Sequence, residues 1–91
     1  MAQAQGDPEQ IREFAQILNE YCTTTLEGLH LLRSRLEDMG SSTWNDQVFQ
    51  KYRELFDEAA TPLNATVTQM QAEQPQFLHE AARRLEDYQG V

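Results

Sequence analysis

The chain has 91 residues, the length of one small domain. Fifteen Asp and Glu residues against seven Lys and Arg residues give a formal charge of −8 at pH 7. That charge disfavours nucleic acid as a partner, because phosphate binding needs basic side chains. A hydrophobic content of 40%, spread in short runs, gives no candidate for membrane insertion. Because so short a chain can hardly build both a core and a catalytic cleft, we expect no enzyme.

The first predicted element is a helix over residues 8–39. Asp7 is a typical N-cap, and Pro8 suits the first helical position because its missing N–H would be unpaired there. Large side chains then recur every three or four residues, the spacing of one helical face. That stripe comprises Ile11, Phe14, Leu18, Tyr21, Leu29, Leu32, Leu36 and Met39. Gly40 is the residue at which we expect this helix to end, with a turn over residues 40–44.

The second predicted element is a helix over residues 45–88, with Thr43 as its expected cap and an acid, Asp46, three residues later. Its apolar stripe comprises Phe49, Tyr52, Phe56, Ala59, Leu63, Thr66 or Val67, Met70, Phe77, Leu78, Leu85 and Tyr88. Pro62 and Pro75 each remove a helical hydrogen bond, so we expect a kink or a break near each of them, and the sequence leaves open whether the helix is continuous there. No stretch alternates like a strand. The predicted fold is therefore all-α, an antiparallel hairpin of two helices.

The predicted hairpin forms a single domain over residues 7–88, with residues 1–6 expected to be disordered. A turn centred near Thr43 pairs residues whose numbers add to about 86. Gly28 then lies opposite Ala59 and Ala60. Because glycine costs about 1 kcal/mol relative to alanine inside a helix, a close approach of the two backbones would explain it. The alternative is that Gly28 is merely tolerated.

The same pairing leaves the residues after about 80 overhanging the first helix. Leu85 and Tyr88 then have no partner within the chain, and with Phe77 and Leu78 they form the predicted interaction surface. Two helices also bury only one seam, whereas stable bundles enclose a core between three or four helices. We therefore expect a four-helix bundle, formed with a second copy or with a related hairpin.

Few residues are candidates for catalysis or metal binding. The lone cysteine, Cys22, is expected to pack as a small apolar group. Glu27 and His30 have the Glu-x-x-His spacing of a di-iron site, so an iron-binding half-bundle resembling encapsulated ferritins is the alternative function. Metal ligands must point into the core, however, and helical geometry turns both side chains away from the apolar stripe. We expect no metal and no cofactor.

Trp44 is the only tryptophan and lies at the predicted tip of the hairpin. It could cover the end of the seam near Leu36, Met39 and Val48, or it could be an exposed anchor for a partner. A half-buried indole would serve both roles.

Two helices joined at a tryptophan turn resemble the WXG superfamily of early-secreted-antigen-like proteins. The resemblance covers nearly the whole chain and is carried by the turn around Trp44 and by Val48 and Tyr52 after it. It is closest to a Trp-x-Asp branch of that superfamily. Three segments support this: Asp7-Pro8-Glu9 near the N-terminus, Trp44-Asn45-Asp46 in the turn, and Leu85-Glu86-Asp87-Tyr88 near the C-terminus.

Membership would imply a non-enzymatic substrate, adaptor or chaperone of a type VII-like secretion system. Its partners would be itself, a related hairpin, a secreted effector or a secretion ATPase. The chain departs from the family where Asp46 replaces the turn glycine, and where Tyr88 is followed only by Gln89-Gly90-Val91 rather than by the family's export motif. The N-terminal residues also lack the pattern of a signal peptide. We therefore expect a cytoplasmic protein, or one secreted without a cleaved signal peptide.

Overall fold

The computed structural model describes residues 6–90, which form two long helices. Helix α1 spans Pro8–Ser42 and helix α2 spans Gln47–Tyr88. They pack antiparallel into a rod of 67 × 18 × 14 Å. The predicted all-α hairpin is confirmed, and no strand occurs within residues 6–90. Residues 1–5 of the segment expected to be disordered lie outside the described residues.

Helix α1 begins as predicted and ends later. The Asp7 carboxylate accepts a hydrogen bond from the backbone N–H of Glu9 at 2.9 Å, and Pro8 is the first helical residue. The helix then continues through Gly40 to Ser42 and closes where the backbone N–H of Thr43 donates to the Met39 carbonyl at 3.0 Å. The expectation that Gly40 ends the helix is wrong: Gly40 lies inside the helix, where its missing side chain leaves room for Phe49, as described below.

Helix α2 begins two residues later than predicted. Its N-cap is Asp46 rather than Thr43, because the Asp46 carboxylate accepts from the backbone N–H of Phe49 at 2.8 Å. The connection therefore covers residues 43–46, displaced toward α2 relative to the predicted turn.

Helix α2 runs without interruption through Pro62 and Pro75, so a break, one of the two alternatives that the sequence left open, does not occur at either proline. Each proline removes one backbone hydrogen bond. Buried residues on both sides of Pro62, Ala60 and Val67, hold the helix against α1, as Ala82 does beyond Pro75. Packing therefore maintains the helix where local propensity opposes it.

The seam between the helices is lined mostly by small side chains. Its fully or nearly buried residues are Ala15, Cys22, Leu36, Phe49, Ala60, Val67 and Ala82. Several large residues of the predicted stripes lie outside it, including Phe14 and Tyr21, which are 56% and 67% exposed. The inward face of each helix is thus rotated from the predicted one, because small side chains let the helix axes approach closely.

The register also differs from the prediction. Arg33 lies beside Asp57, with a nitrogen-to-oxygen distance of 3.7 Å, where a sum of 86 would have placed Arg53. At the open end Arg12 pairs with Glu86, and the Gln89 side chain donates to the Gly6 carbonyl at 3.3 Å. The predicted overhang after residue 80 is therefore wrong. Since α1 extends to Ser42, the turn lies later in the chain and every facing pair shifts with it.

Candidate interaction surface

The hairpin tip is built around the ring of Phe49, which is 2% exposed. Trp44 is half-buried and meets this ring edge to face, with 5.2 Å between ring centroids and 72° between planes. The backbone N–H of Trp44 also donates to the Met39 carbonyl at 2.7 Å. The indole thus covers the end of the seam and keeps an exposed part.

Gly40 supplies the space for Phe49. A Cβ on Gly40 would lie 2.7 Å from Phe49 Cε2 and closer still to Cζ, distances that real Cβ atoms do not show. Asp46 fixes the same aromatic residue by capping its backbone N–H. The two predicted turn residues, Trp44 and Asp46, therefore both position Phe49. The packing role of Gly40 was missed, because its place before a polar turn is typical of a helix end.

The predicted close contact at Gly28 is wrong. A Cβ on Gly28 would meet nothing within 4 Å. Ala60 is buried in the seam, while Ala59 and Gly28 are exposed. The buried residues of this part of α1, Cys22 and Leu36, define the side of the helix that faces α2, and Gly28 lies on a different side.

The two sides of the hairpin differ in chemistry. A residue that follows a buried one lies about 100° around the helix, and a residue that precedes it lies about 100° the other way. Because the helices are antiparallel, the same offset points to the same side of the rod on both. The residues that follow the seven buried positions are all polar and exposed: Gln16, Thr23, Glu37, Gln50, Thr61, Thr68 and Arg83.

The opposite side carries most of the large exposed apolar residues. Five of the seven residues that precede the buried positions are apolar: Phe14, Tyr21, Val48, Ala59 and Ala81. Neighbouring positions on this side are also apolar, and include Ile17, Leu31, Leu32, Met39, Tyr52, Leu55, Leu63, Phe77 and Tyr88. These residues, at 41–71% exposure for the large ones, form one surface across both helices, which we call the apolar face.

The predicted interaction residues near the end of α2 divide between the seam and this face. Leu78 and Leu85 are half-buried, and Leu85 lies near Gly6. Phe77 and Tyr88 are 71% and 63% exposed. With Ala81 and Leu85 they line a shallow groove on the apolar face.

On the other side of the hairpin, which we call the polar face, ion pairs connect the two helices. The Arg12 guanidinium makes a bidentate contact with the Glu86 carboxylate, with 2.7 Å from Nη1 to Oε2. This hydrogen bond lowers the pKa of Glu86 and raises the pKa of Arg12. Arg33 contacts Asp57 and lies 6.0 Å from the ring centroid of Phe56.

A polar side chain also crosses between the helices in the middle of the rod. The Gln71 amide donates to the Asn19 carbonyl at 3.2 Å and to the Thr23 hydroxyl at 2.7 Å. Gln71 is half-buried and its side chain binds two residues of α1, so this contact helps to fix the register. The sequence offered no sign of this contact, since a glutamine in a polar stretch is typical of a solvated face.

The residues considered for chemistry are not brought together. Glu27 and His30 are both exposed, and within residues 6–90 no group of three His, Cys, Asp or Glu side chains is placed to hold a metal ion. Cys22 is fully buried and unpaired with another cysteine, which confirms its prediction as a packed thiol.

Comparisons with protein-family models, with curated proteins and with solved structures find no match to this chain. Neither of the two described helices has the length and apolarity needed to cross a membrane. The described geometry therefore defines a class only: a two-helix hairpin with one apolar and one polar face.

Proposed function

We propose that this chain is a non-enzymatic protein–protein interaction module that buries its apolar face against another helical polypeptide, completing a four-helix bundle. The observation that carries this proposal is the apolar face itself, which covers α1 from Phe14 to Met39 and two stretches of α2, from Val48 to Leu63 and from Phe77 to Tyr88. Isolated exposed leucines are normal on proteins, but many large apolar residues exposed on one side of a protein mark an interaction site.

The exposed area agrees with such a role. A compact protein of 10.5 kDa would expose about 5,400 Å² by the usual scaling with mass, whereas this chain exposes 7107 Å². Its radius of gyration is 20.2 Å, against about 12 Å for a compact chain of this length. The excess is about 1,700 Å² per chain, and two chains that covered it would bury about 3,400 Å² in total, within the range of obligate interfaces.

The WXG resemblance gives the proposal its biological setting. Two helices joined by a connection that carries a tryptophan, here Trp44, are what that resemblance implies. We extend the proposal to a role as substrate, adaptor or chaperone of a type VII-like secretion system, with a related hairpin, a secreted effector or a secretion ATPase as partner.

The test compares variants of the two faces. Leu31→Glu with Leu63→Glu places two charges on the apolar face, and Thr61→Glu with Thr68→Glu places two on the polar face. Each tagged variant is purified from its native cell, and the mass of the assembly is measured by light scattering with helicity checked by circular dichroism. We expect the apolar-face variant to lose its helical partner while remaining helical, and the polar-face variant to keep it. A wild-type chain that purifies alone and remains a monomer at high micromolar concentration would contradict the proposal.

A further inference from the structure

Helix α1 carries a second, outward seam on the apolar face. Its residues are spaced alternately three and four apart, and they are Phe14, Ile17, Tyr21, Thr24, Gly28 and Leu31. This is the spacing with which one helix packs along another in a coiled coil. All six residues are exposed, so α1 offers this seam to a chain other than α2.

An acidic row borders this outward seam. Glu13, Glu20 and Glu27 recur at seven-residue spacing on the edge of α1, about 10.5 Å apart along the axis. They occupy the flanking positions that set partner choice when two helices pack in a coiled coil. All three are exposed, and none has an ion-pair partner among residues 6–90.

A second copy of the chain offers no matching basic row. Arg12 and Arg33 are paired with acids on the polar face, and Arg83 and Arg84 both contact Glu80. The remaining basic residues are Arg35, Lys51 and Arg53, which do not recur at seven-residue spacing. A second copy would also carry the same net charge of −8, so the two chains would repel each other.

We propose that the occupant of the outward seam of α1 is a non-identical helix whose own apolar seam is flanked by lysine or arginine at seven-residue spacing. This inference rests on the proposed function and names the chemistry of its partner. Glu13, Glu20 and Glu27 select that partner by charge, while the apolar residues beside them supply the buried area. Exposed ion pairs of this kind weaken as salt screens them, so the selection depends on ionic strength.

The probes are two labelled amphipathic peptides with the same leucine and isoleucine seam over four heptads. One has lysine at every flanking position and the other has glutamate. Binding to the full chain is measured by fluorescence anisotropy at low salt and at about 0.5 M salt, where charges are largely screened. We expect the lysine peptide to bind at least about tenfold more tightly at low salt, and this ratio to fall toward one at high salt.

Two variants of equal net charge separate the acidic row from general attraction. E13Q/E20Q/E27Q removes the row, and E37Q/E54Q/D87N removes three acids that lie away from the outward seam. We expect the first variant to lose most of the preference for the lysine peptide and the second to retain it.

Three outcomes overturn the inference, and they bear differently on the proposed function. Equal binding of both peptides, or equal effects of both variants, refutes selection by the row but leaves an interaction module in place. A tight dimer of the wild-type chain alone, at physiological salt, refutes the non-identical partner and likewise leaves the module in place. Failure of both peptides to bind a chain that is itself monomeric refutes the inference and the proposed function together.

Discussion

The structure predicts opposite effects on stability when either of the two glycines inside α1 is replaced by alanine. Gly28 and Gly40 both lie within the helix, and alanine at either position gains helix propensity of about 0.5–1 kcal/mol. At Gly28 the new methyl group meets nothing within 4 Å, so Gly28→Ala should be stabilising by that amount. At Gly40 it would lie 2.7 Å from Phe49 Cε2, inside van der Waals contact.

The cost at Gly40 follows from the packing of Phe49. Phe49 is 2% exposed and its ring meets the Trp44 indole edge to face, so displacing the ring would disturb this contact. Overpacking of this kind costs about 1–3 kcal/mol. Because the propensity gain is common to both substitutions, the difference in unfolding free energy between the two variants measures this packing cost directly. For a chain of this size, 1 kcal/mol corresponds to about 4–8 °C in melting temperature.

Thermal and urea unfolding, followed by circular dichroism at one fixed protein concentration, provides the assay. Fixed concentration is needed because any assembly contributes to the apparent stability. We expect Gly28→Ala to melt above the wild type and Gly40→Ala below it. In a Phe49→Leu background the smaller side chain should remove most of the Gly40→Ala penalty. If Gly40→Ala instead matched Gly28→Ala in stability, the tip would not be packed as described.

Two further predictions concern the ends of the helices. Asp46→Ala removes the cap of α2 and should lower the unfolding free energy by about 1 kcal/mol, while Asp46→Asn should cost much less; an alanine variant as stable as wild type in urea would count against the cap. The pKa of Glu86 is lowered by its hydrogen bond from Arg12, so this contact stabilises the open end above the unfolded-state pKa and is lost as pH falls through the folded-state value. The protection of amides near Ala82, taken as the exchange rate relative to that of an unstructured peptide at the same pH, should fall on acidification in the wild type and change less with pH in Glu86→Gln. The same loss of protection in both would show that another group is responsible.

The locally encoded features of the hairpin could be predicted from the sequence. Asp7 and Pro8 mark the start of α1 because caps act on the adjacent backbone, and three-four spacing of apolar residues predicts helices without any knowledge of tertiary contacts. A single connection near Trp44 follows from the polar residues that surround it. The buried thiol of Cys22 could be predicted from its residue type alone, since a free cysteine packs as a small apolar group.

The inward face was not predictable in this way, because each helix carries two adjacent apolar stripes. Periodicity identifies both stripes but does not show which of them faces the other helix. The prediction chose the outer stripe because it contains larger residues, such as Phe14 and Tyr21. The small residues Ala15 and Ala82 decide the matter, because they let the helices approach closely and leave the large side chains outside.

The sequence by itself therefore determined that the chain is an all-α hairpin, that it turns once near Trp44 and that Asp7 caps α1, since these features depend on interactions within a few residues. Only the tertiary structure decided the rotation of each helix, the register set by Arg12 with Glu86 and by Gln71, and the continuity of α2 through Pro75. These depend on the free energy of packing two surfaces together, and that free energy is set by the shapes of both helices at once.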